Sequence, residues 1–447
     1  MLSESQERML LVGTKGTEDK ILKLFDKWDL DAAVVGKVVK GDTVKVLTDA
    51  ELHGTIPTGP ITDEAPVYKR PVKLPKYLKR VRAEFAGALK AAKKKFDWNE
   101  ELKALLASPT IASKRWVYRQ YDHMVGTNTV ILPGSDAAVV RIKEPHTEGK
   151  FTKKALAMTA DCNSRYVYLN PRRGAAIAVA EAARNIVCSG GRPLAVTDCL
   201  NFASPEDPEI MWQFKEALTG MGEACKAMGT PIISGNVSFY NQAPESAIFP
   251  TPTIGMVGVL DDVSQHRTQW FKESGDVIVL IGGAVASEKD LGGSEWLKLV
   301  SGKVCGDAPA LNLKKEREVQ DLVLLGIRKG WIHSAHDCSE GGLGVALAEA
   351  CMTGPQMVGA TVTLGAIKLT GLKAAAALFA ESQSRILVSV KESDLQSLLK
   401  AARVKKIPAK AIGKATGKSL NINGLIDLSV KELEAVWSSG FEANIFG

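Results

Sequence analysis

Short apolar runs and helix-period stretches alternate along the chain. Residues 137–143 (AAVVRIK) and 154–160 (KALAMTA) carry the two-residue alternation of strands. Residues 174–190 (GAAIAVAEAARNIVCSG) and 208–229 (PEIMWQFKEALTGMGEACKAMG) repeat their apolar positions every three or four residues, which predicts two long helices. TPIISGNVSF at 230–239 reads as a buried strand that runs into a glycine turn, and GDVIVLIGG at 275–283 opens a last domain with helices expected at 313–329 and 340–352. Strands interleaved with helices in this way define a mixed α/β (α+β) protein.

The pattern also repeats. ESQERMLLV at 4–12 returns as ESQSRILVS at 381–389, and one offset of 377 positions, without a gap, lays Glu4 on Glu381, Arg8 on Arg385, Leu22 on Leu399 and Gly36-Lys37 on Gly413-Lys414. Both stretches predict an apolar strand, a polar helix and a second apolar strand ending at glycine. In the first copy, short strands at TVKVLTD and LHGTIP follow. A match sustained over this length is a domain duplication, and its period is far too long for a solenoid.

The second copy has residues 113–380 ahead of it and the first has three residues. The expectation is therefore the end of one unit joined to a whole one. Residues 1–68 would close a first C-terminal domain, 69–112 would form a basic linker helix, 113–270 an N-terminal domain and 271–447 a second C-terminal domain. Met1 is then either an internal methionine or the start of a split gene. Half a domain standing alone would expose sheet edges.

Composition changes this picture little. With 447 residues, 45% hydrophobic, 24% charged and 40 glycines, the chain has room for two to four ordinary globular domains. No apolar run reaches the roughly 18 residues that span a bilayer, and the N-terminus lacks a signal-peptide pattern, so the expected location is the cytoplasm, with no membrane partner. Seven cysteines without a C-x-x-C pair point to reduced thiols and no zinc site. The net charge of +7 concentrates in residues 68–103, where Leu78, Val81, Phe85 and Leu89 recur at helical spacing. A linker helix laid against a neighbouring domain explains this better than a polyanion-binding arm, so nucleic acid is not expected as a partner. The charge would still attract phosphorylated substrates.

Five stretches carry candidate chemistry. Asp198, in VTDCLNFASPEDPE, follows an apolar strand and precedes a proline-started helix, so it is either a turn and cap residue or a ligand contact. In IISGNVSFYN, Gly235 would let backbone approach a ligand, Asn236 offers a neutral oxygen to a hard cation and Ser238 a hydroxyl. A tight turn explains the same residues. HSAHDCSEGGLGVALAEA at 333–350 invites a metal, but a helix capped by Ser339 or a neighbour, with histidines making local hydrogen bonds, is the plainer account. His123 has no identifiable partner and stays outside the catalytic set, and DLGGSEW at 290–296 is either an anion turn or a loop.

In order, SESQERMLLV, YRQYDHMVGTN, DCNSRYVYLNPRRGAAIAVAEAARN, PLAVTDCLNF, TPIISGNVSFYN, LGGSEW, SAHDCSEGGL and ESQSRILVSV resemble the small type of phosphoribosylformylglycinamidine synthase, along essentially the whole chain. The part resembled is the C-terminal three fifths of that synthetase subunit. The resemblance implies tandem halves, each like aminoimidazole ribonucleotide synthetase, with residues 113–270 as an ATP-binding-type domain. It implies ATP-dependent amidation of formylglycinamide ribonucleotide in purine biosynthesis. It assigns ATP contacts to Asp198 and Gly235, a Mg2+ ligand to Asn236, and substrate contacts to Glu4, Ser5, Gln6 and Ser238. The family's catalytic histidine and most acidic Mg2+ ligands belong to a first half not found here, so no catalytic residue is assigned and the chain alone is expected to be inactive. Implied partners are that N-terminal half, a glutaminase and a small bridging subunit.

Overall fold

The computed structural model describes residues 8–92, 96–144, 149–283, 286–365 and 369–447. The chain divides into two compact units, Met1–Lys69 and Arg70–Gly447.

The larger unit holds two principal sheets. The first has six strands in the order Thr129–Ile131, Ala138–Lys143, Phe151–Asp161, Thr251–Leu260, Arg192–Asn201 and Ile232–Ser238. All neighbours are antiparallel except the last two, which run parallel. Helices Pro171–Cys188 and Pro208–Met228 supply the core on one face, where Ala175, Val179, Ala182 and Met221 meet Val196, Leu200, Ile254 and Met256. Small residues let these helices pack closely. A Cβ on Gly220 would stand 1.8 Å from the Arg172 carbonyl oxygen, so only glycine fits that crossing.

The second sheet has seven strands in the order Ile332–Asp337, Ile386–Val390, Val277–Ile281, Ala409–Ala415, Ala360–Val362, Ser419–Ile422 and Ile426–Ser429. Every residue of Val277–Ile281 is buried, and the strand is antiparallel to both neighbours. Its two-residue period divides it between two cores. Ile278 and Leu280 join Trp296, Leu343 and Phe379, while Val277, Val279 and Ile281 join Val319, Val323 and Leu398. The basic helix Tyr77–Ala91 buries Leu78, Val81 and Ala88, and Phe85 and Leu89 pack against the core around Trp296. Among the described residues no helix is long and apolar enough to cross a membrane, and all seven cysteines are free.

The smaller unit contains helix Glu18–Asp26 and an antiparallel hairpin, Thr43–Thr48 with Glu51–Pro57. The hairpin lies where TVKVLTD and LHGTIP predict it. The apolar strands expected around Leu10 and Val34 are absent among the described residues, and Leu10 and Val35 are 82% and 80% exposed. The second copy gives the reason. There, Ile386–Val390 and Ala409–Ala415 do not pair with each other; both pair with Val277–Ile281, and residues 8–69 contain no strand in that central place. None of residues 8–69 is buried.

A second expectation also fails. Ile232–Ser238 is an exposed edge strand rather than a buried one, because among the described residues only Arg192–Asn201 pairs with it and Ile233 is 72% exposed. Apolar composition alone does not separate an edge strand from a central one.

Gly220→Ala should destabilise the protein by about 2 kcal/mol or more through helix separation. Gly222→Ala, with open space at its Cβ, should be neutral or slightly stabilising. Urea unfolding of the two variants side by side checks this.

Candidate functional site

The parallel strand pair at the edge of the first sheet gathers four of the sequence-predicted residues. Asp198 is register partner to Gly235, Cys199 to Asn236 and Asn201 to Ser238. Successive side chains in a strand point to opposite faces, so the four divide. Asp198 takes the face of Val196 and Leu200, which are buried against the helices. Ser234, Asn236 and Ser238 share the other face with Thr197. Two hydrogen bonds mark that face: Ser234 Oγ donates to Thr197 Oγ1 at 2.7 Å, and Asn236 Nδ2 donates to Ser238 Oγ at 3.3 Å.

Gly235 is where the edge strand makes room. A Cβ there would lie 2.1 Å from Asp198 Oδ1, so the carboxylate occupies the space a side chain would fill. Burial pushes the Asp198 carboxyl above its usual range. On the opposite face, Asn236 spends one of its two amide hydrogens on Ser238 and keeps Oδ1 as an acceptor. Neutral oxygens of this kind fit a hard cation such as Mg2+ whose charge is met by phosphate, so the donor set is compatible with the implied ion.

A second concentration of charge escaped the motif reading. Arg184, fully buried, faces three carboxylates: Glu316 at 3.0 Å, Glu181 at 3.3 Å and Asp337 at 3.5 Å. It also donates to Gln383 Oε1 at 2.8 Å. Nearby, Asp161 accepts from Asn185 at 2.9 Å and Thr159 at 3.0 Å. Glu381 accepts the backbone N–H groups of Glu295 and Gly341 at 2.8 and 2.9 Å, together with the Tyr166 hydroxyl. Burial pushes the Asp161 carboxyl up to about 8, and the charge of Asp337 adds to it. Burial likewise raises Asp337 to about 7 against the pull of Arg184, and Glu381 to about 7 against Arg165. The two guanidinium groups of Arg184 and Arg165 do not neutralise this many carboxylates, so protons remain on some of them near neutral pH.

The histidines of HSAHDC bond over long sequence distances rather than locally. His333 meets Asp276 at 3.0 Å, and His336 lies between Asp136 at 2.8 Å and Glu349 at 3.0 Å. Burial lowers the His336 pKa, but the two carboxylates more than offset it and hold the ring well above the ordinary imidazole value. Among the described residues Asp136, His336 and Asp337 have ligand atoms within 4.8 Å of one another. Carboxylates on both ring nitrogens favour the protonated imidazolium in this arrangement.

The remaining expectations resolve as follows. The helix Gly342–Met352 starts after Gly341, at φ 76°, with no side-chain cap, so Ser339 does not cap it. Gly292 and Gly293 lead into Ser294, which caps helix Glu295–Ser301. His123 rests on the Tyr121 carbonyl at 3.3 Å. Glu4, Ser5 and Gln6 lie outside the described residues. One signal could have revealed the Arg184 network: Glu181 and Arg184 stand three apart in a helix whose stretch from Ala175 to Ala183 otherwise holds only alanine, valine and isoleucine.

Residues 134–260 match the family model for the AIR synthase related protein, N-terminal domain, and residues 1–49 and 273–423 match that for its C-terminal domain. The chain belongs to the AIR synthase related proteins. The C-terminal match falls in two separate pieces, one at each copy of the repeat, as a duplication requires. The chain is 46% identical over 441 residues to phosphoribosylformylglycinamidine synthase subunit PurL of Moorella thermoacetica, which covers 98% of this chain and 58% of that relative. The chain thus spans about three fifths of the relative's length. In fold it is similar to T. maritima PurL complexed with FGAR (TM-score 0.60, 17% identity, 80% of this chain and 56% of that one). It is similar also to PurLQS from Thermotoga maritima (TM-score 0.58, 17% identity, 81% and 54%).

Asp161 sets a pH test. Its folded pKa of about 8 exceeds the roughly 3.9 of an unfolded aspartate. The folded state therefore holds the extra proton between these values, and stability falls as pH rises through that window. Asp161→Asn should flatten the decline between pH 5 and 8, read from urea midpoints at several pH values.

Proposed function

We propose that this chain is the C-terminal part of a small-type phosphoribosylformylglycinamidine synthase, lacking the first half of the synthetase, and that it works in the ATP-dependent amidation of formylglycinamide ribonucleotide. The observation that carries this reading is 46% identity to a PurL subunit along 98% of the chain. In the reaction, ATP phosphorylates the formamide oxygen, and ammonia then displaces phosphate to leave the amidine. The demand on the protein is positioning and charge neutralisation.

In this reading the edge strand binds nucleotide. Asp198 and Gly235 contact ATP, with the bare backbone at Gly235 permitting close approach. Asn236 would hold Mg2+ through Oδ1, and the ion would neutralise phosphate charge. Ser238, with Glu4, Ser5 and Gln6, contacts the ribonucleotide. We further assign residues 1–68 to the end of the first half, 69–112 to the linker, and 113–270 and 271–447 to the two domains of the second. The general base belongs to the first half, so the chain needs that half as a partner, a glutaminase to supply ammonia and a small bridging subunit between them. The setting is the cytoplasm.

The 447-residue chain, given ATP, Mg2+, ammonia and formylglycinamide ribonucleotide, should form no amidine. Mixed with the part of the Moorella relative outside the aligned residues, it should do so. Amidine from the chain alone, or none from the complemented pair, overturns the reading. Nucleotide binding without turnover in the pair would mark a binding subunit.

In the complemented enzyme, Gly235→Ala should raise KM for ATP at least about tenfold, the equivalent of ~1.4 kcal/mol, because the new Cβ displaces Asp198. Steady-state kinetics at varied ATP reads this directly.

A further inference from the structure

Three aromatic rings form a column where separate segments of the larger unit meet. Tyr77, from the basic helix, stacks on Tyr168 with ring centroids 4.4 Å apart and planes 5° apart, and Tyr168 stacks on Phe249 at 4.4 Å and 16°. The Tyr77 hydroxyl fixes one end of the column, donating to the Tyr168 carbonyl at 2.8 Å and accepting from Gln213 at 2.9 Å. Phe249 forms the other end and is 38% exposed. Tyr168 and Phe249 line a cleft of about 450 Å3 together with Arg80, Glu84, Lys303 and Val304. Glu84 meets Arg80 at 3.3 Å and Lys303 at 3.9 Å. Both cations are more than half exposed, so each ion pair is weak and either cation can turn to an incoming anion at little cost. Lys76, Lys79 and Arg82, exposed around the same helix, add to the positive field. Neither Asp198 nor Gly235 lines this cleft.

We propose that this cleft binds a nucleoside monophosphate, with its base continuing the ring column at Phe249 and its phosphate held between Arg80 and Lys303. Every nucleobase has a π-face that extends such a column. A bare anion would leave the ring unused, and a neutral ring would leave the cations unused. The cleft falls within the roughly 300–1,000 Å3 of small-molecule sites, which favour junctions between domains. Glu84 is placed to accept from an exocyclic amino group or a ribose hydroxyl. With Arg80 and Lys303 it leaves the lining one net positive charge, which suits one phosphate better than three. The site has a route to the edge strand. Phe249 belongs to residues 239–250, which directly follow Ile232–Ser238 and lead into Thr251–Leu260. A ligand stacked on Phe249 therefore holds the segment that leaves Asn236 and Ser238. The inference stands on the cleft and not on the proposed reaction.

The test titrates the 447-residue chain with AMP by equilibrium dialysis and maps the contact by photolabelling with 2-azido-AMP. AMP should saturate with a Kd below about 1 mM, and the label should fall on peptides containing Tyr168 or Phe249. Phe249→Ala should weaken AMP at least about tenfold through loss of the stack, and Phe249→Trp should retain it. Lys303→Glu, at an exposed position, should weaken AMP by about as much, and adenosine and inorganic phosphate should each bind at least about tenfold more weakly than AMP. Label confined to other peptides, or AMP affinity unchanged in both Phe249→Ala and Lys303→Glu, overturns the proposal. Inorganic phosphate binding as tightly as AMP also overturns it, because the cleft is then a plain anion site. Gly235→Ala separates this inference from the functional reading, since AMP binding at the cleft should persist in that variant. Label confined to residues 230–241 and lost in Gly235→Ala would favour nucleotide at the edge strand and defeat the cleft. Label at Tyr168 or Phe249, with KM for ATP unchanged by Gly235→Ala in the complemented enzyme, would do the reverse.

Discussion

The C-terminal sheet depends on a strand that is bonded on both edges and buried on both faces. Val277–Ile281 satisfies two neighbours at once and sends alternate side chains into two separate cores. Burying an aliphatic side chain is worth about 1.5–3 kcal/mol, so five of them concentrate a large share of the domain's stability in one short segment. The repeat supplies the contrast. Met9 to Val12 have nearly the composition of Ile386 to Ser389, and where no central strand stands between them and their counterparts they remain unpaired and exposed. Local propensity proposes a strand and tertiary pairing decides whether it forms.

That distinction explains what could be read from the chain. The strands near Val139 and Ala157 and the helices at Pro171–Cys188 and Pro208–Met228 were legible, because their period is strong and their partners lie within the same domain. The exposed state of Ile232–Ser238 was not, since place within a sheet is a property of topology and not of a seven-residue window. Asp198 and Gly235 could be named from motif resemblance. Their separation from Asn236 and Ser238 onto opposite faces needed the register of the parallel pair, where a one-residue slip would invert the result. Arg184 and its carboxylates were hidden for a further reason: only Glu181 shares its helix, while Glu316 and Asp337 reach it from distant elements of the chain.

The two candidate regions differ in physical character. The edge strand is open and carries small polar groups, suited to a ligand that brings its own charge. The Arg184 cluster is closed, with its acidic groups holding protons or sharing one guanidinium, suited to locking helix Pro171–Cys188 against the C-terminal sheet. His336, held between Asp136 and Glu349, extends that lock. Binding chemistry and structural chemistry therefore occupy different parts of one unit, and the motif histidines belong to the second.

The most direct measurement of the central claim compares the two copies within one molecule. Amide exchange on the isolated 447-residue chain should find residues 9–13 near the rate of an unstructured peptide and residues 386–390 slower by at least about a thousandfold, the difference between open and core hydrogen bonds. Equal protection in the two segments would contradict the claim that the central strand, and not the local sequence, makes this sheet.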